Sequence, residues 1–287
     1  MPFDFPWNDR AGRFSTFKAV AFFLALLPAL WIVWDAATGQ LGSRPMTEAI
    51  HRSGDWAVRL LLVTLAITPL RRIAGWNRLI ILRRMLGLFA FAYALAHLVL
   101  YAADQSWNLG RVASEIALRF YLTIGFVVLL GLGLLAATST DKAIRRLGRR
   151  WQQLHRLIYP LTALALFHYF LQSKINASDA TLVMGFFLLL MGWRAAHALR
   201  FSLRKAHVLA VIAILSLLGT IALEAAWYGL ATGLPWLRVL AANWSLVMWP
   251  RPSFWVLLVG LAFVALSFDR TPNLLSNFVS RRDVLKL

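Results

Sequence analysis

The chain is built from apolar runs of about 18–20 residues separated by short charged loops, and that pattern leaves few folds open. A run of that length crosses the hydrocarbon of a bilayer as a helix, where every backbone N–H and C=O must be satisfied within the segment. A composition of 60% hydrophobic and 15% charged residues fits no water-soluble domain of this size. The fold class read from the sequence is all-α, a polytopic transmembrane helical bundle. Eight runs read as spans, at about 19–34, 56–70, 85–102, 120–137, 151–172, 180–196, 208–230 and 254–268. Pro28 is expected to bend the first. Residues 35–55 and 103–119 read as loops. The first run closes on Trp34 and Asp35 without a small-residue cleavage site, so it reads as a span rather than a signal peptide. No internal repeat is visible along the chain.

The net charge of +18 would point to nucleic acid in a soluble protein. Here the basic residues mark one side of the membrane, and no nucleic-acid partner is expected. About three quarters of the Lys and Arg fall in the two tails and in the loops after spans two, four and six, whereas the acids are spread over both sides. Both termini are therefore expected in the cytoplasm.

The chain has no cysteine, which excludes disulfides, thiolate-held clusters and covalent haem attachment through Cys-x-x-Cys-His. It has six histidines. An ionisable side chain inside a span costs about 2–3 kcal/mol, so each one there needs a reason. The fifth run, Trp151 to Gln172, carries His155 and His168, about 20 Å apart along a helix and about 140° apart around it. Pro160 lies between them and is expected to kink that helix. His97 in the third run stands 13 residues beyond Arg84, and His168 stands 12 beyond Arg156. Both runs point outward, which puts both histidines about 18–20 Å from the basic edge. Two neutral imidazoles at one depth could hold a haem iron from opposite faces. Iron held so has no open position, which favours electron transfer over oxygen chemistry. The bland alternative for each is a bond to a neighbouring backbone group.

His155 lies near the basic edge beside Arg149, Arg150 and Arg156. It could ligate an inner haem, bind a quinone oxygen, relay a proton, or simply sit among headgroups. Arg83 occupies the position where the third run would offer a matching inner ligand. His51 reads as a solvated loop residue with a site role as the alternative, and His197 and His207 read as interfacial. Gly125, Gly131 and Gly133 in the fourth run let helices, or a flat macrocycle, approach closely. Arg149 and Arg150 could meet an anionic cofactor such as a flavin phosphate.

Several stretches together resemble a known family. RRMLGLFAFAYALAHLVLY, YLTIGFVVLLGLGLLAATST, RRLGRRWQQLHRLIY and LALFHYFLQSK are similar to the haem-binding membrane subunit of the bacterial periplasmic methionine-sulfoxide reductase, one of the ferric-reductase-like transmembrane proteins. TEAIHRSGDWAVRLLLVTLAITPLRR resembles its second span and the loop before it. The likeness covers roughly Arg10 to Ala206. Leu118-Arg119-Phe120-Tyr121 departs from the family's commoner Lys-Arg-Pro-Tyr. The resemblance implies a six-span haem-binding ferric-reductase-like core at 1–206 and a two-span extension with a basic cytoplasmic tail at 207–287. It implies an inner-membrane protein with haem b, one or two, held by His97, His155 and His168, and flavin mononucleotide as an additional cofactor. It implies electrons taken from membrane quinone and passed to a periplasmic molybdopterin-containing methionine-sulfoxide reductase, so that catalysis lies on the partner chain. A ferric-reductase-like reductase fed by a separate cytoplasmic flavin reductase is the alternative. No soluble nicotinamide or flavin domain is expected after the core.

Overall fold

The structure is a computed structural model that describes residues 5–8, 12–173, 176–245 and 250–268. The basic C-terminal tail and Arg10 lie outside the described residues. Every apolar run is helical, and no strand is present among the described residues. In chain order the helices are α1 (Thr16–Ala37), α2 (Pro45–Ile73), α3 (Arg83–Asp104), α4 (Leu109–Leu118), α5 (Phe120–Ala137), α6 (Asp141–Leu147), α7 (Arg149–His155), α8 (Ile158–Gln172), α9 (Ser178–Ala198), α10 (Ala206–Thr232), α11 (Trp236–Asn243) and α12 (Pro252–Phe268). A 3-10 turn, Asn77–Leu82, leads into α3. Five segments among the described residues are long and apolar enough to cross a membrane: α1, Asn77–Asp104, α5, α9 and α10. Helix α12 is apolar but shorter. Helix α2 carries charges in its first half, and α8 has 15 residues.

The chain divides into two compact units. One comprises residues 1–67 and 78–187, and the other comprises 68–77 and 188–287.

In the first unit, α1, α2, α3, α5 and α8 share a core that includes Ala25, Leu61, Leu86, Ala90, Leu132 and Leu161. Pro28 cannot donate to the carbonyl one turn back, and the ladder of α1 opens there. The Tyr93 hydroxyl of α3 fills the gap. It accepts from Ala29 N–H at 2.8 Å and donates to the Ala25 carbonyl at 2.9 Å, groups that would bond each other in a straight helix.

Three expectations change. Residues 45–55 are not a loop: Pro45 opens α2, where its missing N–H costs nothing. Arg52 then pairs with Glu48 one turn back (2.7 Å) and with the buried Asp35 of α1 (2.5 Å), which fastens the helix start. The 103–119 stretch contains the amphipathic helix α4, capped by the Asn108 side chain on Arg111 N–H at 3.0 Å. The fifth run is divided in two where Pro160 acts. Pro160 cannot donate to the Arg156 carbonyl, which accepts from Tyr159 N–H at 3.1 Å instead, and the α ladder is interrupted at Arg156 and Leu157, whose backbones stay in the α region. His155 is thereby placed on a separate short helix. Before it, Gly148 takes a positive φ of 51° and turns the chain from α6 into α7.

In the second unit, α10 packs on α12 and on α9 through small residues. A Cβ on Gly260 of α12 would stand 2.5 Å from the Ala213 Cβ, and one on Gly192 of α9 would stand 2.7 Å from Ile212 Cγ2. Glu224 of α10 is fully buried. It accepts from Arg251 at 2.5 Å and from Asn243 of α11 at 2.7 Å, and Asn243 in turn accepts from Ser253 of α12 at 2.9 Å. This chain of bonds satisfies a carboxylate that would otherwise be prohibitive there, and ties the three helices at one end.

Candidate metal centre

Helices α2, α3, α5 and α8 of the first unit enclose a cavity of about 540 Å³, within the range of small-molecule and cofactor sites. Apolar residues such as Val58, Leu61, Ala94, Leu132 and Ala165 line it. Polar residues, among them His51, Asp55, Asp104, Arg119 and Asp179, also line it.

His97 and His168 both line this cavity. His97 Nδ1 is 2.7 Å from the Ile50 carbonyl, and His168 Nδ1 is 2.7 Å from the Tyr121 carbonyl. A carbonyl can only accept, so Nδ1 carries the proton in each ring. Each Nε2 then holds a lone pair. This is the arrangement that fixes the tautomer and direction of a metal-binding imidazole.

Two glycines make room for these rings. A Cβ on Gly125 would stand 2.8 Å from His168 Cε1, and one on Gly54 would stand 3.0 Å from His97 Nδ1. Gly131 instead receives Leu161, at 2.4 Å from a Cβ, and Gly133 meets Phe91 at an ordinary 3.4 Å.

The two ring centroids are 6.4 Å apart with the planes at 86°. An imidazole nitrogen binds a metal at about 2.0–2.1 Å and lies about 1.1 Å from its ring centre, so two rings on opposite sides of one metal ion have centroids about 6.3 Å apart. The spacing fits. Among the described residues no group of three or more His, Cys, Asp or Glu side chains could hold a bare ion. Two imidazoles need further donors, and a largely apolar cavity of this volume suits a macrocycle that brings its own four nitrogens. The donor set and the cavity fit haem.

Residues 53–166 match the family described as ferric reductase like transmembrane component. The chain is 45% identical over 186 residues to the protein-methionine-sulfoxide reductase heme-binding subunit MsrQ of Xanthomonas campestris pv. campestris (strain 8004), covering 64% of this chain and 85% of that protein. It is 40% identical over 195 residues to the MsrQ of Rhodospirillum rubrum, covering 67% of this chain and 91% of that protein. No solved structure matches it.

The chain belongs to the MsrQ family.

In this MsrQ-family chain the third histidine stands apart. His155 is not among the residues that line the cavity. Its ring stacks on Trp151 at 4.0 Å, and its Nε2 is 3.1 Å from Thr138 Oγ1. Trp151 Nε1–H donates to the Thr138 carbonyl at 2.9 Å, so the end of α5 holds both rings. Burial, reinforced by the Arg83 charge, pushes the His155 pKa below the ordinary histidine value. His51, which reads as a solvated loop residue in the sequence, belongs to α2; it is exposed and lines the cavity. The Ile50 and Tyr121 carbonyls and Gly54 carry no signal in the sequence, because a backbone acceptor has no residue type and one glycine in a helix has many explanations.

Proposed function

We propose that this chain holds haem b between His97 and His168 and conducts electrons from membrane quinol to a methionine-sulfoxide reductase outside the inner membrane. The observation that carries the reading is the paired imidazoles, each with Nδ1 bonded to a backbone carbonyl and Nε2 left as the donor. Relatives of the MsrQ family bear the name haem-binding subunit of protein-methionine-sulfoxide reductase, which supports both cofactor and partner. Haem bound by two imidazoles supplies one-electron transfer at an iron with no open position. The chain's own residues hold the donors through backbone carbonyls and exclude water through the apolar part of the lining. Residues 1–206 form the haem-holding core in this reading, and 207–287 form an extension outside it. The basic tails and loops put both termini in the cytoplasm. Catalysis on methionine sulfoxide belongs to the partner chain, a molybdopterin-containing subunit.

The match to ferric-reductase-like proteins favours a second reading, a transmembrane reductase fed by a cytoplasmic flavin reductase. The experiment has two parts. Purified protein is expected to show a reduced b-type band that His97→Ala or His168→Ala removes; full haem in both variants would overturn the assignment of these two residues as the ligands. Deleting the periplasmic reductase is expected to leave the haem reduced in cells, because the conduit alone loses its acceptor; unchanged reoxidation favours the second reading.

A further inference from the structure

The two candidate ligands are seated by the same parts in the same register. On α2 and α3 the parts are the Ile50 carbonyl, Gly54 one turn later, and His97, 47 positions after Ile50. On α5 and α8 they are the Tyr121 carbonyl, Gly125 one turn later, and His168, again 47 positions on. The second set follows the first by 71 positions throughout, from Ile50 to Tyr121, Gly54 to Gly125 and His97 to His168. Other cavity walls keep the same offset: Val58, Leu61 and Ala94 recur as Leu129, Leu132 and Ala165. Few of the remaining paired positions are identical, which hides the repeat from a reading of the sequence alone.

We infer that Gly54 and Gly125, which hold the same place in the two hairpins, are equivalent positioning residues, one for each of the two imidazoles. The inference rests on the haem reading above. Consecutive spans alternate in direction, so α2 and α5 cross one way and α3 and α8 the other. The two hairpins are then a parallel repeat whose axis lies along the membrane normal, which sets both histidines at one depth. The glycines act through the rings. Ordinary contact to a Cβ is 3.4–4 Å, and both positions fall short of it, at 3.0 Å and 2.8 Å. Neither ring is free to retreat, because its Nδ1 is held at 2.7 Å by the carbonyl one turn before the glycine. A methyl group there either breaks that bond or turns Nε2 away from the cavity.

The repeat is broken where the two copies differ in task. At the inner edge the position 71 before His155 is Arg84, next to the Arg83 singled out by counting along the third run, and Arg84 is engaged with Asp141 at 2.7 Å. Elsewhere on the cavity wall, Asp55 and Tyr169 are hydrogen-bonded to each other, whereas their counterparts Phe126 and Leu98 are apolar. Only the outer imidazole layer is duplicated.

The test uses the full-length, haem-loaded protein in detergent, with carbon monoxide as a probe of an open position on reduced iron. Wild type is expected to be inert. Gly125→Ala is expected to bind carbon monoxide and to lose haem about tenfold faster, and added imidazole is expected to restore the low-spin spectrum. Gly54→Ala, whose clash is milder, is expected to do the same to a smaller extent, and it keeps the test open if Gly125→Ala does not accumulate. Gly133→Ala, with an ordinary contact at 3.4 Å, is expected to behave as wild type. Inert spectra in both Gly54→Ala and Gly125→Ala, or equal damage from Gly133→Ala, overturn the inference. If His97→Ala and His168→Ala keep full haem, it is the haem reading that fails.

Discussion

Replacing Tyr93 by Phe removes one oxygen atom and leaves the packing of the ring intact, so its effect reports the hydroxyl alone. That hydroxyl partners two backbone groups of α1, Ala29 N–H and the Ala25 carbonyl, in a site where Tyr93 is 5% exposed. A buried polar group left without a partner costs about 1–3 kcal/mol. The two groups could recover by bonding each other, but the Pro28 ring holds that turn open. Partial closure sets the expected loss at about 2–3 kcal/mol. The assay is a double-mutant cycle with Pro28→Ala, followed by unfolding in mixed micelles. Pro28→Ala restores an N–H and lets the ladder of α1 close, so Tyr93→Phe is expected to cost at least about 1 kcal/mol less in that background. Tyr93 stands one turn before His97 on α3, so haem retention is expected to fall in the same order as stability. A Tyr93→Phe variant within about 0.5 kcal/mol of wild type, or an equal cost in both backgrounds, refutes the reasoning.

Two further outcomes bear on the inner edge and the topology. His155→Gln is expected to keep the haem of the cavity and its reduction by dithionite, while reduction by quinol slows at least about tenfold; loss of half the haem instead makes His155 a ligand to a second haem, as the family resemblance implies. Reporter fusions after Leu203 and at Leu287 are expected to read cytoplasmic and one at Asn176 periplasmic, and a periplasmic C-terminus contradicts the orientation drawn from the basic loops.

What the sequence by itself determined is the part of the structure that depends on one-dimensional quantities. Run length and composition require membrane-spanning helices, because a bilayer admits little else. The depth of His97 and His168 follows from counting residues along two spans, and the structure brings both to one cavity. Helix boundaries near the membrane edge were less legible. His51 lies on α2 because Pro45 and the Glu48–Arg52–Asp35 pairs extend that helix beyond its apolar run. His155 is set apart from α8 because the missing N–H of Pro160 interrupts the ladder at Arg156 and Leu157, a break whose place the proline marks in the sequence but whose extent it does not. The seating of the imidazoles belonged wholly to the tertiary structure. The acceptors are backbone carbonyls, which every residue possesses, and the rings fit only because helices α2 and α5 present glycine at the point of closest approach. Close approach is a relation between two chain segments, and it exists only once they have packed.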